Sequence, residues 1–254
     1  MDNTLRNRLG QMVLCCVWFC LAERGFGAAT SPPEVLLNDP VAGQTLAAEL
    51  RAVRVPERVE LRGVMKLKRS GQDMRQVSFV FTTFPITNGW RATYRLLFPD
   101  NTDLSRVYAI THQFGSTNAY AVVMEAGTRV AGAAEPLGES DFLLGDLGLE
   151  FLHWPQQVLI KKELKRGRAC QVLESRPSPT GTSLGYGRVL AWVDTETGGI
   201  IQADAYDAAG KALKEFQLNS FKKVDGQWQL EEMQIVNVQD KRRTRLTFEL
   251  EKKP

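Results

Sequence analysis

The sequence predicts a mainly β fold with a few helices, built as one long antiparallel sheet with the helices laid on one face. Three observations predict it. Short runs in which apolar and polar residues alternate with period two recur from residue 59 to the C-terminus. Turn signals such as Ser70-Gly71, Asn88-Gly89, Gly115-Ser116 and Gly198-Gly199 separate these runs. The stretches with helical spacing stand apart from the strands rather than alternating with them, which argues against βαβ units.

At the N-terminus, Arg6 and Arg8 precede an apolar stretch over residues 12–22, followed by the small residues Gly25, Gly27, Ala28 and Ala29. That order is the signature of a secretory signal. The stretch falls short of the roughly 20 apolar residues that cross a bilayer, and Glu23 and Arg24 follow it directly. We therefore expect residues 1–28 to be a signal peptide, cleaved so that the mature chain begins between Ala28 and Thr30. Residues 29–254 are then expected to form a single domain in the periplasm. Bulky Val17-Trp18-Phe19 before Cys20 argues against a lipidated cysteine. Cys15, Cys16 and Cys20 would leave with the signal, and Cys170, in a strand-like context, reads as a structural thiol. Without residues 1–28 the chain keeps 29 basic and 27 acidic side chains. That balance excludes a dedicated nucleic-acid binder, which needs a concentrated basic surface.

After Ser31-Pro32-Pro33, residues 34–53 carry Val35, Leu36, Leu37, Leu46, Ala47 and Leu50 in helical spacing, with a break at Pro40. From Val59 the period changes, and Val59, Leu61, Met65 and Leu67 alternate with Glu60, Arg62, Lys66 and Lys68. Similar strands are expected at 77–83, 90–97, 107–112 and 120–124. A second set is expected at 158–164, 169–174, 188–194, 200–206, 213–221, 228–238 and 244–251. Between the sets, Ser140 or Asp141 can cap a helix over residues 140–152, with Phe142, Leu143, Leu147 and Phe151 on one side and Pro155 beyond its end. Gly145 and Gly148 would each weaken such a helix by about 1 kcal/mol relative to Ala.

The ordered set Ser140-Asp141-Phe142, Gly145-Asp146-Leu147, Ala191-Trp192-Val193-Asp194, Ala205-Tyr206-Asp207, Asp225-Gly226-Gln227-Trp228 and Thr244-Arg245-Leu246 resembles the LolA-like outer-membrane lipoprotein-sorting proteins, in particular an uncharacterised bacterial branch. The match spans residues 140–250, while residues 34–130 agree in strand rhythm. The resemblance implies an incomplete, half-open antiparallel β-barrel whose concave face is covered by helices and whose apolar hollow holds the acyl chains of a lipid or lipoprotein. It also implies inner- and outer-membrane sorting components as partners, a monomer, and neither catalysis nor a cofactor. Met65, Phe79, Phe81, Trp90, Tyr94, Phe142, Leu147, Phe151 and Trp192 are the candidates for lining that hollow. No residue matches the arginine that better-known carriers use to hold their closed state, so no role passes to Arg62 or Arg91.

Chemistry of other kinds is sparse. His112 and His153 are the two histidines, the first in an alternating strand and the second placed to favour a helix dipole. The carboxylates Asp141 and Asp146, or Glu231 and Glu232, read as caps and exposed strand residues rather than an acid-base pair. The chain has no phosphate-cradling glycine loop, no nucleophile elbow and no zinc spacing. The competing expectation is an envelope scaffold with the same fold, a filled core and a sheet edge that binds another protein. An exported hydrolase is a weaker rival.

Overall fold

The computed structural model describes residues 18–19, 35–98, 106–179, 184–224 and 227–250. The signal-peptide and cleavage expectations lie outside these residues except at Trp18–Phe19, as do Asp225 and Gly226 of the tract that carries the resemblance.

Among the described residues, fifteen strands form one antiparallel sheet. Trp18–Phe19 (β1) is a two-residue strand beside the later strand β14, and Val35–Asp39 (β2) forms one edge of the sheet. Val59–Lys68 (β3), Arg75–Ile86 (β4), Gly89–Leu97 (β5), Arg106–Gln113 (β6), Ala119–Met124 (β7) and Gly127–Ala131 (β8) follow as a meander. Gln156–Lys165 (β9), Arg168–Arg176 (β10), Arg188–Asp194 (β11), Ile200–Tyr206 (β12), Ala212–Val224 (β13), Gln227–Asn237 (β14) and Arg242–Phe248 (β15) form a second meander. The order across the sheet is β2-β9-β10-β11-β12-β13-β14-β15-β3-β4-β5-β6-β7-β8. The two meanders join where β15 pairs with β3, from Arg243 opposite Lys68 to Phe248 opposite Gly63. Strands β2 and β8 are left as free edges, so the sheet is an open barrel.

The expected N-terminal helix divides at Pro40. Residues before it pair with β9, and α1 spans Pro40–Arg51. Pro40 occupies the first turn, where its missing N–H costs nothing, and Asp39 caps the helix by accepting from the Ala42 N–H at 2.9 Å. Helix α1 lies against β9.

The expected helix over residues 140–152 does not form as one element. Residues 132–155 instead run as a strap containing α2 (Leu144–Leu147) and one turn of 3-10 helix (Glu150–His153). Leu149 between them is left-handed, with φ of 50°. Asp146, rather than Ser140 or Asp141, caps α2, its Oδ2 accepting from the Leu143 N–H at 2.9 Å. The two glycines have a packing reason. A Cβ at Gly145 would stand 2.5 Å from Leu184 and 3.0 Å from Ala133, and one at Gly148 would stand 2.9 Å from the Tyr120 hydroxyl. They let the strap lie close to its neighbours.

The main core forms where the strap and the inner face of the sheet meet. Phe142, Leu144 and Leu137 of the strap are fully buried in one cluster with Met65, Phe79, Ile110 and Leu246 of the sheet. A second, smaller cluster of Cys170, Val172, Trp192 and Ile201 is separate from it. Burial pushes the Cys170 thiol up to about 11, in keeping with a structural role.

Candidate functional site

Strand parity and register build the inner face. In β4, Phe79 and Phe81 are two residues apart and point the same way, and register sets Phe81 opposite Tyr94 of β5. Their rings meet at 4.9 Å between centroids, and Phe248 of β15 stands edge-on to both Phe79 (5.6 Å) and Phe81 (5.7 Å). Trp90 pairs with His112 across β5 and β6, and the two rings stack at 3.7 Å and 14°.

The strap is fastened over this face at two ends by different means. Its first half is held by buried charge. Asp146 accepts from the Tyr186 hydroxyl at 2.7 Å and from the Lys214 ammonium at 3.1 Å, and Lys214 also donates to the Asp141 carbonyl at 2.8 Å. Asp141 receives the Thr244 hydroxyl at 3.0 Å and pairs with the Arg242 guanidinium at 3.0 Å, while Phe142 packs edge-on against Phe216 of β13. The acids of the Ser140-Asp141-Phe142 and Gly145-Asp146-Leu147 tract are thus the fasteners of the strap.

The second half meets the rim of the sheet. Tyr120 donates to Glu150 at 2.5 Å, and Asn118 donates to the Gly148 carbonyl at 2.8 Å. Arg51, in the last turn of α1, donates to the Leu152 carbonyl. Burial raises the Glu150 pKa against the opposing pull of Tyr120 and Asn118. A small cavity of about 30 Å³ lies here, lined in part by Trp90, His112, Asn118, Leu149 and His153. The buried His112 Nε2 and Asn118 Oδ1 make no hydrogen bond of good geometry, although Asn118 is close enough to favour the His112 proton. Burial, reinforced by repulsion from His153, lowers the His112 pKa to about 3. Burial and the nearby charge of Arg51 lower that of His153 to about 4.

Adjoining this cavity is an open groove of about 750 Å³ between α1, residues 113–117 and residues 153–157. Arg51, Arg54, Gln44, Gln113, Phe114 and Gln157 are among its lining residues, and the Arg54 guanidinium sits 4.1 Å over the Phe114 ring. Among the described residues there is no cluster of side chains suited to a metal ion, and no helix is long and apolar enough to cross a membrane.

Of the candidate lining residues, the structure brings Met65, Phe79, Phe81, Trp90, Tyr94, Phe142, Leu147 and Phe151 into the one main cluster, all of them buried. Trp192 is the exception. It belongs to the second cluster, donates from Nε1 to Glu163 at 2.6 Å and carries the Lys165 ammonium 3.9 Å over its ring. Its neighbours Ala191 and Val193 join the main core instead, so parity turns Trp192 the other way. Phe248 was missed, although the alternation Thr244, Leu246, Phe248 carried its signal. The groove was missed because it is assembled from three distant segments.

A family described as "-like: Uncharacterized protein" matches residues 124–252. No curated protein matches the chain significantly. Among solved structures, a DUF1329 family protein from Desulfovibrio piger is 21% identical, with a TM-score of 0.67 over 83% of this chain and 92% of that one. A putative outer membrane lipoprotein-sorting protein domain from Vibrio parahaemolyticus is 18% identical, with a TM-score of 0.69 over 84% and 92%. A LolA superfamily protein from Nitrosomonas europaea is 14% identical, with a TM-score of 0.60 over 84% and 94%. At these identities the likeness is one of fold.

Proposed function

Because the chain belongs to the family described as "-like: Uncharacterized protein" and its fold is LolA-like, we propose that it is an exported, non-catalytic carrier that binds the acyl chains of a lipid or lipoprotein in the periplasm. In this reading residues 1–28 direct export and residues 29–254 are the carrier domain. Acyl chains enter between the strap and the inner face, against Met65, Phe79, Phe81, Trp90, Tyr94, Phe142, Leu147 and Phe151. The observation that carries it is the strap itself: one continuous segment, fastened at both ends by polar pairs, covers an aromatic face that the open sheet would otherwise expose. Lifting it would offer that face to a ligand, and burial of apolar area is worth about 25 cal/mol per Å², enough for acyl chains to bind without polar chemistry.

A second reading rests on a different observation. The inner face is filled by the strap, while Val130 on the edge strand β8 is 85% exposed. A scaffold that binds another envelope protein by adding a strand at β8 fits these facts. Native mass spectrometry of the protein purified from the envelope of its own host separates the two. Co-purifying lipid is the expected result, and a consistently empty protein that retains a protein partner would favour the scaffold.

A further inference from the structure

We propose that the groove beside the strap receives the anionic headgroup, phosphate or carboxylate, of the carried amphiphile, with Arg51 and Arg54 as its counter-charges. This deepens the carrier reading and rests on it. The groove has the volume of a small-molecule site, which runs from about 300 to 1,000 Å³, at about 750 Å³. Its described lining contains Arg51 and Arg54 and neither an Asp nor a Glu, so an anion entering it meets cations and the amides of Gln44 and Gln113 and no fixed negative charge; the Gln157 amide is already committed to the Phe151 and Trp154 carbonyls.

Both arginines are positioned rather than free-swinging. Arg51 uses one N–H on the Leu152 carbonyl, and a guanidinium has five N–H donors in a fixed fork, so the others remain for a ligand. Arg54 is steadied by the Phe114 ring, which holds its plane at the groove wall. The positive charge is felt locally, since Arg51 disfavours protonation of His153. At the floor, the small cavity beside His112 Nε2 and Asn118 Oδ1, which make no hydrogen bond of good geometry, is large enough for one oxygen, from a water or from a ligand hydroxyl. The groove and this cavity share Arg51, Gln113, Phe114 and His153 in their linings. The strap's second half stands over the same place, so a headgroup here would leave its acyl chains at the rim where the inner face begins.

The test compares three probes on the full mature protein by titration calorimetry, below micelle-forming concentrations: a lysophosphatidylglycerol, a monoacylglycerol of the same chain length, and glycerol 3-phosphate. The expected result is that the charged lysolipid binds about tenfold more tightly than the uncharged one, the worth of a charge-assisted contact. Arg54→Gln, an exposed position that leaves the Arg51 contact intact, should shrink that ratio to about threefold or less. Arg58→Gln, an exposed arginine paired with Glu60 outside the groove lining, should leave it unchanged. Equal binding of the two lipids overturns the headgroup site and leaves the carrier standing, and so does an equal loss from both arginine variants. Glycerol 3-phosphate binding while neither lipid does would keep the groove as a site for a free anion and remove the carrier. Binding of none of the three overturns both.

Discussion

The two halves of the strap are held to the same sheet by opposite kinds of interaction. In the first half, Asp141 and Asp146 are almost enclosed and their oxygens are met by Arg242, Thr244, Lys214 and Tyr186. In the second, Tyr120 and Asn118 meet Glu150 and the Gly148 carbonyl, Arg51 meets the Leu152 carbonyl and the buried Gln157 amide holds the Phe151 and Trp154 carbonyls. Glu150 is the one charged strap side chain among these contacts, which stand beside a left-handed Leu149 and an open groove. A paired buried charge is costly to break because its partner is left behind in an apolar setting. A rim contact can be exchanged for water. The structure should therefore yield first at the rim and last at the charged half.

The largest expected effect breaks the charged half. Asp146→Ala removes the carboxylate shared by Lys214, Tyr186 and the Leu143 N–H, leaving Lys214 a carbonyl but no counter-charge, and should cost about 3 kcal/mol in chemical denaturation. A loss below about 1 kcal/mol, the worth of one ordinary hydrogen bond, would mean that the two halves are not held differently.

Acid acts on the rim. The His112 pKa lies at about 3 in the folded protein against an ordinary 6.5. Between those values the unfolded chain takes up a proton that the folded chain refuses. Stability is therefore fully present above pH 6.5 and declines as pH falls toward 3, by at most about 1.4 kcal/mol per pH unit from this group. His153, at about 4, adds in the same direction. Trp90, Asn118, His153 and Arg51 surround the His112 ring or its cavity; none of them is an acid, and the Asn118 side chain alone favours the proton, against the larger effect of burial. His112→Phe keeps a ring against Trp90 and removes the titration, so its melting temperature should fall less steeply than wild type between pH 6.5 and 4. Parallel curves would show that the acid sensitivity lies elsewhere.

Tyr120→Phe deletes the hydroxyl that donates to Glu150, which should cost about 1 kcal/mol. Amide hydrogen exchange should rise over residues 148–155 and stay unchanged over 137–147. A uniform rise along the strap would mean that it moves as one piece.

Much of this architecture was legible in the sequence. Residues 59–68, 188–194 and 200–206 form strands over the expected ranges, because alternation and Gly turns report a one-sided sheet directly. Strand β8 was not legible, since Gly127-Thr128-Arg129-Val130-Ala131 buries no face and so shows no period. The strap reads as a helix because Phe142, Leu143, Leu147 and Phe151 recur at helical spacing. What divides it is close packing at Gly145 and Gly148 and the turn at Leu149, which depend on neighbours distant in the chain. Trp192 illustrates a limit of parity: Val189, Leu190, Ala191, Trp192 and Val193 are apolar on both sides, and nothing local says which side faces the main core. The same distance hides the partners of Asp141 and Asp146, which read as caps or exposed acids until the fold brings Arg242, Thr244, Lys214 and Tyr186 to them.

In the carrier we propose, the strap lifts from an intact sheet and acyl chains take its place. Ala92 is buried on the inner face between Trp90 and Tyr94, and Ala92→Cys, in a protein whose other cysteines are serine, places a thiol there with little change of volume. Its rate of modification by a soluble thiol reagent, set against the rate of global unfolding, reads the opening directly. Modification should be faster than global unfolding and should be suppressed by a lysophospholipid. A thiol that reacts only as fast as the whole protein unfolds, with lipid making no difference, would contradict this opening and leave a filled core.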